Sequence, residues 1–202
     1  ANEMRARLET MIGADRTRRL VLGTFHAVCV RFLRRWGARC LGLDPRFTIA
    51  DTDDARRLLR DVERDADATL AAISRAKAHG WTPDELRASA QHAPGSPAHT
   101  EHLALCRTYA AYQQQLRTSH ALDFDDLLLL GVRLFREHPE LTSHIDHVLV
   151  DEFQDTNAVQ YELLRRLSRH VSVVGAPAQR SARWRPADVR HIERMALDVP
   201  GL

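Results

Sequence analysis

The stretch VLVDEFQDTN, residues 148–157, ends a short apolar run in Asp151 and Glu152, with Asp155 close behind. Carboxylates at the tip of a buried strand suit one kind of chemistry. An Asp there can hold Mg2+, usually through water, and a neighbouring Glu can position and deprotonate an attacking water beside a nucleotide. The alternative is a surface turn whose acids cap the next helix. The nucleotide reading also requires a phosphate loop, GxxxxGK[ST]. In that loop backbone amides cradle the phosphates, Lys reaches the terminal ones and Ser/Thr holds the metal. The one lysine of this chain, Lys77 in SRAKAHG, has no glycine before it, and no GK dipeptide exists.

The elements that must position these acids follow from periodicity and punctuation. HVLVDE (147–152) and HVSVVG (170–175) read as strands. Between them Asn157 caps a helix to about Leu167, with Val159, Leu163 and Leu167 inward. Strand, helix, strand is a parallel β-α-β unit, and ligands of such sheets bind at the carboxyl ends of the strands.

Upstream, residues 2–12 read as a helix with Met4, Leu8 and Met11 on one face, and RLVLGTF (19–25) as a short strand. HAVCVRFLRRWG (26–37) reads as an amphipathic helix with Val30, Leu33 and Trp36 inward, broken by Gly37 and Gly42. Further helices are expected from Asp51 or Thr52 to about Arg64, from Thr69 to His79, and from the capping sequence Thr82-Pro83-Asp84-Glu85. After a loop at 91–99, a long helix runs to about Ser119. Another opens at Asp123 with Phe124, Leu127, Leu128, Leu134 and Phe135 on its apolar face, and Pro139 stops it. A mostly helical block thus sits between two α/β pieces. That is the layout of an α/β domain with a helical insertion.

Composition narrows the class. No apolar run approaches the length of a membrane span. The charged, helical N-terminus is not a signal peptide, and Ala1 rather than Met at the start fits a piece of something longer. Cys29, Cys40 and Cys106 are odd in number and widely spaced, as expected of reduced thiols in a cytoplasmic protein. The pairs His99/His102 and His144/His147 read as chance surface pairs among 11 histidines. The net charge of +2 is unevenly spread: net +6 over 1–39, −9 over 40–162 and +6 over 163–194. If nucleic acid binds, the two basic ends carry most of the phosphate contacts.

Taken whole, VLVDEFQDTNAVQYELL resembles motif II of the UvrD/PcrA/Rep group of superfamily 1 DNA helicases. GTFHAVCVRFLRR (23–35) resembles their motif Ib region, ANEMRARL the end of motif Ia, and LDFDDLLLLGVRLFREHPEL the segment before motif II. The ordered matches run from residue 1 to about 200. The resemblance implies a partial parallel-sheet, P-loop (RecA-like) motor domain of α/β class. Residues 1–25 and 146–202 would form the motor piece, and 26–145 the mostly α-helical inserted domain. It assigns Asp151 to Mg2+, Glu152 to water activation, and Gln154 and Asp155 to the coupling network. Thr24, Phe25 and His26 lie where the family contacts single-stranded DNA, although helix entry and packing would also explain Phe25 and His26.

Motif III departs from the family. Residues 175–190 read GAPAQRSARWRPADVR, where the family reads approximately GDPDQSIYRWRGADVR. Gln179, Trp184 and Arg185 stay in register, but Ala176 and Ala178 replace two acids, Ala182 a tyrosine and Pro186 a glycine. By resemblance Gln179 senses the γ-phosphate, Trp184 stacks on bases and Arg185 contacts DNA or the carboxylates. A packed Trp184 with solvated arginines remains an alternative.

The expected whole is an ATP- and Mg2+-dependent helicase moving 3′ to 5′ on single-stranded DNA or at single-strand/double-strand junctions. This chain carries neither the phosphate loop nor the second motor domain, so alone it is expected to be inactive and to bind neither cofactor tightly. A non-catalytic remnant that binds DNA or a helicase partner is the other reading. Its partners would be the missing helicase portions or a repair protein.

Overall fold

The computed structural model describes residues 2–60 and 65–174. It begins with helices α1 (Asn2–Ile12) and α2 (Ala14–Arg19), joined at Gly13, whose φ of 88° lets the chain turn sharply. The apolar face expected on α1 is not covered: Met11 is 78% exposed and Met4 is also exposed. The strand expected at 19–25 does not form. Arg19 ends α2, and residues 20–24 join no ladder among the described residues. A strand exists only with a neighbour to bond, so its apolar run could not decide the matter alone.

Helix α3 (Phe25–Phe32) passes through a π turn (Leu33–Gly37) into α4 (Ala38–Leu41). Gly37 therefore does not break the helix as expected. Gly42, left-handed at φ 68°, does. The buried stripe is Cys29, Phe32 and Leu33, while Val30 and Trp36 are only partly covered.

Side chains start most of the remaining helices. Asp51 accepts from the amides of Asp53 and Asp54, both at 2.9 Å, to open α5 (Thr52–Arg60). Asp65 caps α6 (Ala66–Ala78), and Thr82 and Glu85 form a capping box for the short α7 (Pro83–Ala88). Ser96 caps α8 (Pro97–Thr118), Asp123 caps α9 (Phe124–Glu137) and Asn157 caps α10 (Ala158–Leu167). Each cap satisfies amide donors that a helix end leaves free.

Two strand pairs, both parallel, frame these helices. Strands β1 (Thr48–Ile49) and β2 (Ala121–Leu122) pair Thr48 with Ala121 and Ile49 with Leu122, tying the two ends of the α5–α8 stretch together. They were not foreseen, since two residues carry no periodicity. Strands β3 (Val148–Val150) and β4 (Val171–Val173) form the expected unit with α10 as crossover, in the register Val148 to Val171. The fold is thus mixed and mostly helical, with short parallel strands, as an α/β class predicts.

Three apolar clusters hold it. One joins α3, its π turn, α9 and α10 through Cys29, Leu33, Leu127, Leu134 and Leu163. A second lies among α5–α8, around Leu59, Ile73, Tyr109 and Tyr112. A third packs Val150, Phe153, Tyr161 and Leu164 beneath the β3–β4 pair. Phe124 departs from expectation. It stands 49% exposed at the start of α9, because the turn that sets Leu127 and Leu128 inward turns Phe124 out. No described helix is long and apolar enough to cross a membrane.

Candidate functional site

Strand β3 stops at Val150, two residues short of the expected end, and Asp151 and Glu152 form an exposed turn beyond it. The turn is held from beneath. The Phe153 amide donates to the Val174 carbonyl at 3.1 Å, and the Val174 amide to the Val150 carbonyl at 2.7 Å, which extends the ladder past the acids. Phe153 is buried in the third cluster. Glu152 itself is left-handed, with φ 52° and ψ 42°. That conformation is uncommon without glycine and marks a backbone held by its surroundings.

Within the turn, Asp151 Oδ1 accepts from the Glu152 amide at 3.0 Å. Gln154 Nε2 donates to Glu152 Oε2. The Asp155 amide donates to the Glu152 carbonyl at 2.9 Å, in a short 3-10 turn (Phe153–Asp155). Gln154 Oε1 is buried without a partner, an acceptor left open beside the acids. Asp151, Glu152, Gln154 and Asp155 are therefore brought together at a parallel strand's carboxyl end. Their donor set suits magnesium, a hard ion usually bound by one or two carboxylates plus water and substrate phosphate. By themselves they do not enclose an ion. Among the described residues no group of three or more His, Cys, Asp or Glu could do so.

The second expected group lies at the start of α3. Thr24 Oγ1 accepts from the Ala27 amide at 3.3 Å, so its side chain caps the helix. Phe25 packs between the first and third clusters, which links this corner to the strand carrying the acids. His26 sits edge-on to Phe124, with ring centroids 5.8 Å apart and planes at 86°. Burial lowers the His26 pKa below its ordinary 6.5, partly offset by Asp125. Gln179, Trp184 and Arg185 lie outside the described residues.

Lys77 has a different role from a phosphate-loop lysine. It is 1% exposed, and Nζ donates to Asp123 Oδ2 at 2.6 Å, Asp126 Oδ1 at 2.7 Å and Gln113 Oε1 at 3.2 Å. Tyr112 donates to the same Asp123 oxygen at 2.9 Å. The other oxygens of Asp123 and Asp126 cap α9, where the Asp126 amide donates to Asp123 Oδ1 at 2.8 Å. One ammonium thus fixes α6 and α8 to the first turn of α9. Burial raises the Asp126 pKa, with Lys77 opposing it. The helix start at Asp123 was visible in the sequence, but nothing local pointed from it to Asp126 or Lys77. Of the histidine pairs, His102 bonds the Leu86 carbonyl at 2.8 Å and His147 bonds Ser172 Oγ at 2.8 Å, both protein contacts.

Comparison with known proteins places this arrangement. The family model described as the UvrD/REP helicase N-terminal domain matches residues 1–200. The chain belongs to that family. The ATP-dependent DNA helicase PcrA of Staphylococcus epidermidis (strain RP62A) is 33% identical over 216 aligned residues, covering 99% of this chain and 28% of the relative. The ATP-dependent DNA helicase PcrA of Staphylococcus aureus (strain Mu50) matches with the same identity and coverage. The chain spans little more than a quarter of these helicases. The UvrD/REP assignment agrees with the motif II and motif Ib resemblance, and the acid turn and the start of α3 are the segments that carried it.

Proposed function

We propose that this chain is the part of an ATP-dependent 3′–5′ DNA helicase that supplies the metal-side acids and one wall of the single-strand track. The observation that carries the reading is DEFQDTN standing in a strained, exposed turn at the carboxyl end of a parallel strand, in a chain of the UvrD/REP family. In this reading 1–25 and 146–202 belong to a RecA-like motor domain and 26–145 to an inserted helical domain. The short β1–β2 pair, which brackets α5–α8, supports an insertion with its own core.

Asp151 would hold Mg2+ through its water shell, and the ion would offset phosphate charge when bound. Glu152, exposed in the turn, would accept a proton from the attacking water. Gln154 ties Glu152 to the turn, and Asp155 anchors the turn through its amide, so both can pass a change at the acids to the third cluster. Gln179 would sense the γ-phosphate. Thr24, Phe25, His26, Trp184 and Arg185 would face single-stranded DNA, at a single-strand/double-strand junction in the whole helicase, with the remaining helicase domains or a repair protein as partners.

Alone, the chain is expected to hold ATP weakly and not to hydrolyse it. No backbone cradle, lysine or hydroxyl for the phosphates stands in its sequence, and Lys77 is engaged elsewhere. The test is ATP binding and hydrolysis by the purified chain with single-stranded DNA present, with Glu152→Gln as control. Hydrolysis by the native chain that the variant lacks would overturn the inactivity. A second reading, a DNA- or partner-binding remnant without catalysis, is favoured by Ala176 and Ala178 where the family carries acids. It predicts salt-dependent single-strand binding that ATP analogues leave unchanged.

A further inference from the structure

One face of α3 and its π turn carries Arg31, Phe32, Arg35 and Trp36, at i, i+1, i+4 and i+5. With Glu140 and Leu141 of the 3-10 turn Pro139–Thr142, and His144 just beyond it, they line a cleft of about 470 Å3. Clefts of that size take a small ligand or a few peptide side chains. Both walls are fixed. Phe32 stands edge-on to Phe135 of α9, with ring centroids 4.9 Å apart. Thr142 Oγ1 donates to the Arg166 carbonyl of α10 at 3.0 Å. A π turn is itself a costly irregularity that recurs at functional sites.

The two guanidiniums are the informative groups. Arg34, between them in sequence, is used by the fold: Nη1 donates to the Pro45 carbonyl at 2.9 Å, and the guanidinium lies 3.8 Å over the Phe47 ring. Arg31 and Arg35 are exposed, and among the described residues neither pairs with a carboxylate. Arg35 lies over Trp36, 5.3 Å from the ring centroid, which leaves its N–H donors open. Glu140, the one acid of the lining, already bonds His138 at 3.2 Å. The rest of the lining, Val21, Phe32, Leu141 and the Trp36 ring, is apolar. Phosphate alone, or a nucleic-acid backbone, would meet the arginines but leave that apolar surface bare, and Glu140 would repel it. A peptide with carboxylates beside an aliphatic side chain satisfies both halves.

We propose that this cleft docks an acidic segment of a partner protein, with an aliphatic side chain against Phe32 and Leu141 and carboxylates on Arg31 and Arg35. The site shares no residue with the acid turn or with Thr24, Phe25 and His26. The helicase reading therefore stands or falls separately.

The test uses the 202-residue chain and a fluorescein-labelled peptide in which two leucines are flanked on each side by three aspartates. Anisotropy reads affinity, and tryptophan emission, with unlabelled peptide, reads position. Arg31→Gln and Arg35→Gln should each weaken binding about 5- to 15-fold, between an exposed ion pair and a charge-assisted hydrogen bond. Arg31→Lys, which keeps the charge, should lose less. Replacing the peptide's leucines by alanine should cost about 10-fold or more. Binding should weaken as salt rises. Trp36→Phe should remove the emission change while the peptide still binds. Both arginines are exposed, and thermal melting confirms that each variant is folded. No binding by the native chain, binding that both glutamine variants leave unchanged, or an emission change that survives Trp36→Phe would overturn the proposal. So would a 12-nucleotide oligo-dT that displaces the peptide and depends more strongly on the same arginines, which would make the cleft a nucleic-acid site.

Discussion

Replacing Lys77 by Met tests how the helical segment is fastened to the rest of the fold. Methionine fills the volume of the lysine stem but leaves Asp123 and Asp126 buried without a counter-charge. Removing one partner of a buried ion pair costs about 3–5 kcal/mol. A domain has roughly 5–15 kcal/mol in total. At about 2–4 °C per kcal/mol for a chain of this size, the melting point should fall by about 6–20 °C. The loss should also depend on pH, with a definite sign. Burial already holds the Asp126 carboxyl above its ordinary range, and Lys77 opposes that shift. Without Lys77 the folded-state value rises further above the unfolded one. The folded variant then binds a proton more readily than the unfolded chain, so its deficit shrinks as pH falls from 7 towards the carboxylate range. Urea unfolding at pH 7 and pH 5, for the native chain and Lys77→Met, reads this directly. Adding Asp126→Asn to the variant should recover part of the loss, since the amide oxygen can still accept from Gln113. A loss under about 1 kcal/mol at pH 7, or a deficit unchanged at pH 5, would refute the account.

Three further outcomes follow from single positions. Glu152→Gly should relieve the left-handed strain and raise stability by about 0.5–1 kcal/mol in urea unfolding, the strain gain less the added chain entropy of glycine. Gly131→Ala in α9 should lower stability by about 1–3 kcal/mol despite alanine's better helix propensity, because the new Cβ would meet Cys29 Sγ at 2.5 Å. His26 has a lowered folded-state pKa, so its contribution is full above about 6.5 and is lost as pH falls through the lower folded value. His26→Gln should therefore flatten the decline in melting point between pH 7 and pH 5.

What the sequence made legible was local. The capping residues Thr82 and Asn157 were readable because a cap and the amides it serves lie within four residues of one another. The β3–α10–β4 unit was readable because its strands and helix each have a clear period. Two of the misses, the strand at 20–24 and the role of Lys77, turn on distant partners. Residues 20–24 had a strand's composition but, among the described residues, no strand to bond. Phe124 had the right type for the core but stands on its rim, where type says nothing about direction. Lys77 was recognised only as unlike a phosphate-loop lysine. Its carboxylates lie 46 and 49 residues away, and no spacing rule connects them. Of the candidate site, the acids were singled out by their place at the end of an apolar strand, and the start of α3 by resemblance. The strain at Glu152 and the outward turn of Phe124 became visible only in three dimensions.

The π turn at Leu33–Gly37 means that two halves of one rod keep separate phase. The first half sets Cys29 and Phe32 against α9, and the last residue of the π turn, Gly37, lies tight beside Leu43 where the second half begins. In a uniform α-helix, gaining or losing a residue would swing everything beyond it by about 100° and spoil one set of contacts. Here the surplus is confined to one wider turn, with Arg34 and Arg35 exposed between the buried Leu33 and Gly37. Length variation among descendants of this sequence should therefore gather in that turn, which can be shortened to regular winding while both anchored ends stay in place.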